Sequence, residues 1–262
     1  MSDLTFAVPV NQVSRRGLLR TLAGCAVAAA LSPGVSPLRA ASTGVSEDSG
    51  ALRTNAHSAL LIVDVQNCFV SGGSLAVPHG EDVIPVINRI TGLFGTVVAT
   101  QDWHTPGHVS FASSHPGKHP YETVELAYGT QVLWPDHCVM GTEDAQFAHG
   151  LESVDTQLVI RKGFHRDLDS YSAFIEADHR TPTGLAGYLK ERRIRRIFVC
   201  GLATDFCVAW TALDARKAGF ETAVIEDACR GIDLNGSLRA AWASMAAAGV
   251  HRIRSADLQD LR

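Results

Sequence analysis

Six short apolar runs, separated by helix-like stretches, limit the fold more than any other feature of this sequence. They fall at residues 59–63, 96–100, 157–160, 196–200, 221–225 and 250–254. The first, residues 59–63, is continuous rather than alternating, as expected for a strand buried on both faces. Residues 83–94 carry apolar side chains at helical spacing. Pro182 opens a second helical stretch to about residue 193, and two more cover about 205–218 and 237–248. Gly219 and Gly249 stand where helix C-caps are expected. Strand–helix alternation predicts one parallel sheet with helices on both faces. Such sheets bind ligands beyond the carboxyl ends of their strands, where strand order reverses. Residues 101–155 break the alternation with a stretch rich in His, Pro and Gly. A loop of that length is usually functional.

The unusual polar residues follow strands. Asp64 ends the first, Asp102 follows the second, Lys162 the third and Cys207 the fourth. Taken singly, each has an ordinary explanation: a turn-capping aspartate, a surface lysine, a small buried cysteine. Together they place chemistry at one edge of the sheet. Cys207 is expected at a helix N-terminus, where partial positive charge favours a thiolate. A nearby lysine lowers a thiol pKa further, and an aspartate can accept and return a proton. Asp102 and His104 are two residues apart, so an extended segment points both to one side. His137 from the long loop would complete a one-carboxylate, two-imidazole metal set with open positions. Zinc, iron and manganese all suit those donors, zinc foremost. His108, His115 and His119 in the same loop read as solvated or supporting residues.

Seven separated motifs, in order, carry a family resemblance. They are Asp64-Val65-Gln66-Asn67 with Gly72-Gly73-Ser74-Leu75, Asp102-Trp103-His104, Trp134-Pro135-Asp136-His137-Cys138, Lys162-Gly163, Asp169-Ser170-Tyr171-Ser172-Ala173-Phe174, and Gly201-Leu202-Ala203-Thr204-Asp205-Phe206-Cys207-Val208. Over residues 57–254 the chain resembles nicotinamidases and pyrazinamidases of the isochorismatase-like cysteine hydrolase superfamily. The resemblance implies a three-layer α/β/α domain with a six-stranded parallel sheet ordered 3-2-1-4-5-6. It implies an Asp64–Lys162–Cys207 triad and one divalent metal on Asp102, His104 and His137. It also implies a cis peptide before Ala203, an oxyanion hole from the Ala203 and Cys207 amides, and pocket walls from Phe69, Leu75, Trp134 and Tyr171. The expected reaction is hydrolysis of nicotinamide to nicotinate and ammonia through a thioester, with pyrazinamide also cleaved. Cys68 stands where similar enzymes usually have Asp, and Phe206 where many have Tyr or His. These departures bear on substrate preference more than on reaction type. Two other readings are an amidohydrolase for carbamoyl or ureido groups, and a metal- or pyridine-binding protein without turnover.

Residues 1–40 read as an export signal. Ser14-Arg15-Arg16-Gly17-Leu18-Leu19-Arg20 precedes a short apolar run at about 22–31, resembling a twin-arginine signal. That predicts a periplasmic protein with no stable membrane association after cleavage. Leu22-Ala23-Gly24-Cys25 looks like a lipoprotein box, but lies too close to Arg20 for a normal apolar region. Residues 41–56, rich in Ser, Thr, Gly and Ala, read as a flexible linker before a domain at 57–262. Beyond residue 40 the chain holds 19 basic and 26 acidic residues, which argues against nucleic acid as a partner. A homo-oligomer is compatible with this composition. The six cysteines lie largely in apolar contexts rather than at framework spacings, so free thiols are expected.

Overall fold

The computed structural model describes residues 53–152 and 155–260. The expected export signal at 1–40, with Cys25, lies outside the described residues, as does most of the expected linker. Six parallel strands form the central sheet: β1 (Ser58–Val63), β2 (Val97–Asp102), β3 (Leu158–Lys162), β4 (Arg196–Leu202), β5 (Glu221–Arg230) and β6 (His251–Ile253). Their order is β3-β2-β1-β4-β5-β6. Helices α1 (Val83–Thr91), α2 (Leu185–Glu191), α3 (Ala209–Lys217) and α4 (Ser237–Ala247) flank the sheet. Arg53–Thr54 pairs in parallel with Gln259–Asp260, so the last residues of the expected linker belong to the folded domain.

Burial follows position in the sheet. All six residues of central β1 are buried, which explains its unbroken apolar run. Each fully buried Leu or Ile there contributes roughly 1.5–3 kcal/mol. β3 is the edge strand, as the implied order places it, and Val159 and Arg161 on it are exposed.

The sheet reverses direction of growth between β1 and β4. Ser58 to Val63 pair with Arg196 to Gly201, bringing the ends of these strands together. Gly201, at φ +112°, makes this approach possible, because a Cβ there would overlap the Val63 carbonyl. On the other side of β1, the β2–β3 register sets Asp102 opposite Lys162. The long segment after β2 contains an antiparallel hairpin, Thr123–Leu126 with Gly129–Val132.

Two helix starts differ from the sequence reading. α2 begins three residues after Pro182, because Gly184 at φ +94° sets its N-terminus. Before α3, Thr204–Val208 forms a wide π-type turn, with the Phe206 and Val208 amides donating to the Ala203 carbonyl at 3.1 Å. Such turns cluster at functional sites, and this one carries Cys207.

The expectation of free thiols is corrected for one pair. Cys68 and Cys138 form a disulfide with Cα atoms 5.6 Å apart, while Cys200, Cys207 and Cys229 are free. Seventy residues separate the pair, and spacing alone did not reveal their proximity. Closing so long a loop constrains the unfolded chain. Cys68→Ala/Cys138→Ala is expected to lose about 2–4 kcal/mol of stability, read as a lower urea midpoint. A midpoint equal to wild type under oxidising conditions would count against a stabilising bond.

Candidate active site

Four strand ends meet around one buried ammonium. Lys162, the last residue of β3, is fully buried. Its Nζ lies 2.7 Å from Asp64 Oδ2, 3.1 Å from the Ser170 carbonyl and 3.3 Å from Cys207 Sγ, and it donates a short hydrogen bond to Asp102 Oδ1. Two carboxylates thus share one lysine. Burial opposes its charge, yet Asp102 and Asp64 outweigh that and hold the ammonium well above its ordinary pKa.

Asp64 follows β1 with φ +49°, a left-handed conformation that Asp tolerates better than most residues. Thr100 Oγ1 donates to Asp64 Oδ1 at 2.5 Å and accepts from the Asp64 amide at 3.1 Å. Asp64 Oδ2 meets Lys162 as an ion pair without an aligned hydrogen bond. Burial raises the Asp64 carboxyl above its ordinary value, with Lys162 opposing. Asp64, Asp102 and Cys207 present oxygen and sulfur atoms within 4.8 Å of one another.

Burial also pushes the Cys207 thiol well above its ordinary value; Lys162 opposes this, while both carboxylates add to it. Desolvation of this sulfur works against the partial charge of the turn that carries it.

Asp102, His104 and His137 come together. The Nε2 atoms of both histidines lie 3.7 Å from Asp102 Oδ2. Their other nitrogens contact backbone carbonyls, His104 Nδ1 at Gly163 and His137 Nδ1 at Pro135, each at 2.8 Å. With Nδ1 donating, both Nε2 lone pairs face Asp102, the arrangement metal-binding imidazoles adopt. Gly163 has φ +65°, and a Cβ there would stand 2.5 Å from the His104 ring. Burial works against ionised Asp102, but Lys162, with His104 and His137 beside it, holds its carboxyl well below the usual range. Two aimed imidazoles and an ionised carboxylate fit a divalent metal. His108 packs against His104, with ring centroids 4.2 Å apart, and contacts Ser110 Oγ at 2.7 Å and the Leu168 carbonyl at 3.2 Å.

These groups open into a small pocket. Phe69, Leu75, Trp134 and Tyr171 line it, with Ala203 and Cys207 beside them. Trp134 Nε1 donates to the Tyr171 hydroxyl at 2.9 Å, locking two walls together. The Leu202–Ala203 peptide is cis.

Several contributors had no assigned role in the sequence reading. Asp169, Phe206 and Ile232 also line the pocket. Gln66 grips Asp102 from both sides, donating to its carbonyl at 2.9 Å and accepting from its amide at 2.8 Å. Thr100 was discoverable: it lies two residues before Asp102, on the same face of β2.

The isochorismatase domain model matches residues 58–257. The chain belongs to the isochorismatase family. Among its relatives, the nicotinamidase of Acinetobacter baylyi is 58% identical over 200 residues, covering 76% of this chain and 94% of that protein. The solved Acinetobacter baumanii nicotinamidase/pyrazinamidase superposes with a TM-score of 0.77 at 62% identity, covering 78% and 98% of the two chains. The Pyrococcus horikoshii pyrazinamidase, solved in complex with zinc, gives 0.61 at 34% identity over 76% and 99%. In the isochorismatase family, shared fold alone does not set the substrate; the pocket and its charged floor must do so.

Proposed function

We propose that this isochorismatase-family chain is a metal-dependent nicotinamidase that also cleaves pyrazinamide. One observation carries the reading: Lys162 touches Asp64, Asp102 and Cys207 at once, coupling a nucleophile and its base to a metal set beneath an aromatic pocket. The pocket suits a flat ring gripped by Phe69, Trp134 and Tyr171.

Asp64, Lys162 and Cys207 are the proposed triad. A divalent metal held by Asp102, His104 and His137, zinc first in view of the zinc-bound relative, would bind the ring nitrogen as a Lewis acid and orient the carboxamide. Asp64 takes the thiol proton as Sγ attacks the carboxamide carbon. Lys162 stabilises the developing thiolate. The carbonyl oxygen becomes an oxyanion facing the Ala203 and Cys207 amides. Asp64 then gives its proton to the nitrogen, the C–N bond breaks and ammonia leaves a thioester. Water, deprotonated by Asp64, attacks the thioester; the sulfur departs, recovers the proton, and nicotinate is released.

Ammonia release from nicotinamide, pyrazinamide and aliphatic amides tests the proposal. Turnover of both heteroaromatic amides, with little on the aliphatic ones, is expected. No release by metal-loaded protein, with Cys207→Ala binding nicotinamide as tightly as wild type, would instead mark a binding protein. For the metal set, Asp102→Ala and His137→Ala are each expected to lose most bound metal in elemental analysis. Unchanged metal content in both would remove it from these residues.

Residues 1–40 are proposed to export the protein through the twin-arginine route to the periplasm, on the strength of Arg15-Arg16 and the apolar run that follows. Arg15→Lys/Arg16→Lys should retain the protein in the cytoplasmic fraction. Equal periplasmic yield from both forms would oppose this.

A further inference from the structure

We propose that the Cys68–Cys138 disulfide, together with Asp144, is a clamp that holds His104 and His137 in metal-binding position and so sets metal affinity. This rests on the reading of Asp102, His104 and His137 as metal ligands.

The three ligands are not equally supported. Asp102 ends a ladder strand and is gripped by Gln66. His104 is tied by its ring to Gly163, next to β3. His137 lies in a loop, and its ring nitrogen bonds only two residues back, to Pro135. Its rigidity must come from its neighbour. That neighbour is Cys138, bonded covalently to Cys68 in the turn after β1.

The bond joins more than two sulfurs. The Cys138 carbonyl accepts from the His104 amide at 3.1 Å, and the His104 carbonyl accepts from Met140 at 2.8 Å, so one segment braces both histidines. Cys68 precedes Phe69, whose ring meets His137 edge-on at 5.6 Å, and the Cys68 carbonyl accepts from Leu75 at 3.0 Å. Asp144 binds both halves: its carbonyl accepts from the Cys68 amide at 2.8 Å, and its Oδ2 accepts from the Cys138 amide at 3.1 Å and from Ser74 Oγ at 2.6 Å. Cys138 adopts φ +45°, unfavourable for an L-residue and maintained by these contacts. Both cysteines are fully buried. The bond is therefore shielded from solvent in the folded protein. The cysteines and Asp144 are positioning residues; none is assigned to touch substrate.

The test is zinc affinity of the full-length protein, measured by competition with a chromophoric chelator. Cys68→Ser/Cys138→Ser is expected to weaken zinc binding about 10- to 100-fold, the cost of losing groups that orient metal ligands. Leu189→Ala in α2, which loosens the core away from the site, should lower Tm and leave zinc affinity within twofold. A lowered Tm with unchanged affinity in the double serine variant would overturn the clamp. If that variant does not fold, wild-type protein treated with a phosphine reductant in sub-denaturing urea gives the same readout. Zinc release should then track loss of the Cys68–Cys138 peptide in mass spectra, and release independent of it would also overturn the clamp. His137→Ala separates the two readings. If it leaves zinc affinity unchanged, the ligand assignment fails; if it weakens zinc while the double serine variant does not, the clamp alone fails.

Discussion

Cys207→Ala is expected to lower kcat on nicotinamide by about 10⁴-fold or more, the scale seen when a covalent nucleophile is removed. The other free cysteines cannot substitute. Cys200 is fully buried and directs its thiol to the Leu61 carbonyl. Burial pushes the Cys229 thiol up to about 12. Among the described cysteines, only Cys207 combines a place on the pocket wall with an ammonium at 3.3 Å. The substitution should leave the fold standing, because Lys162 keeps both carboxylates and the Ser170 carbonyl. Metal content should therefore equal wild type, and nicotinamide should still bind. Cys207→Ser keeps the shape but offers a hydroxyl far less acidic than a thiol, so Asp64 gains no usable nucleophile. Its turnover should fall by about 10³-fold or more. Ammonia release, calorimetric binding and rapid acid quench with mass spectrometry separate these effects, the last showing a thioester adduct on wild type alone. Turnover within tenfold of wild type in Cys207→Ala would end the nucleophile assignment.

The sheet was legible in sequence because its central strands are buried on both faces. β1 reads as an apolar run because water reaches neither side of it. Asp64, Asp102, Lys162 and Cys207 stood out because ionisable groups directly after such runs are costly unless used. What stayed hidden depends on contacts between distant segments. The sharing of Lys162 by two aspartates follows from the β2–β3 register, which local pattern does not specify. The hairpin in the long loop was missed because its strands are half-exposed, with no apolar face to mark them. Periodicity cannot distinguish the π-type turn at Thr204–Val208 from the start of α3. The Cys68–Cys138 pair required two loops to meet at one corner of the pocket. Helix position is a local cue, whereas the desolvation of Cys207 depends on everything packed around it.

Lys162→Met is expected to disable the enzyme and destabilise the fold together, because one ammonium compensates two buried carboxylates. Removing one partner of a buried ion pair costs about 3–5 kcal/mol, and here two aspartates lose their cation. Catalysis should fall by about 10³-fold or more, since the thiolate loses its only adjacent positive side chain and Asp64 loses the charge that opposes its protonation. Lys162→Arg should rescue little, because a planar guanidinium fork cannot reproduce a point charge facing Asp64, Asp102, Ser170 and Cys207 at once. The stability penalty also has a sign in pH. In wild type the depressed Asp102 carboxyl contributes stability above its unfolded pKa of about 3.9, and this is lost as pH falls through the folded value. Without the ammonium, burial acts on both carboxylates with less to oppose it, and both carboxyls move upward. A raised carboxyl stabilises only below the unfolded pKa and loses that contribution as pH climbs through the folded one. The difference between wild type and variant should therefore grow from about pH 4 to pH 7. Urea unfolding of metal-free protein at both pH values measures it, and equal penalties at the two would show that these carboxylates do not depend on Lys162.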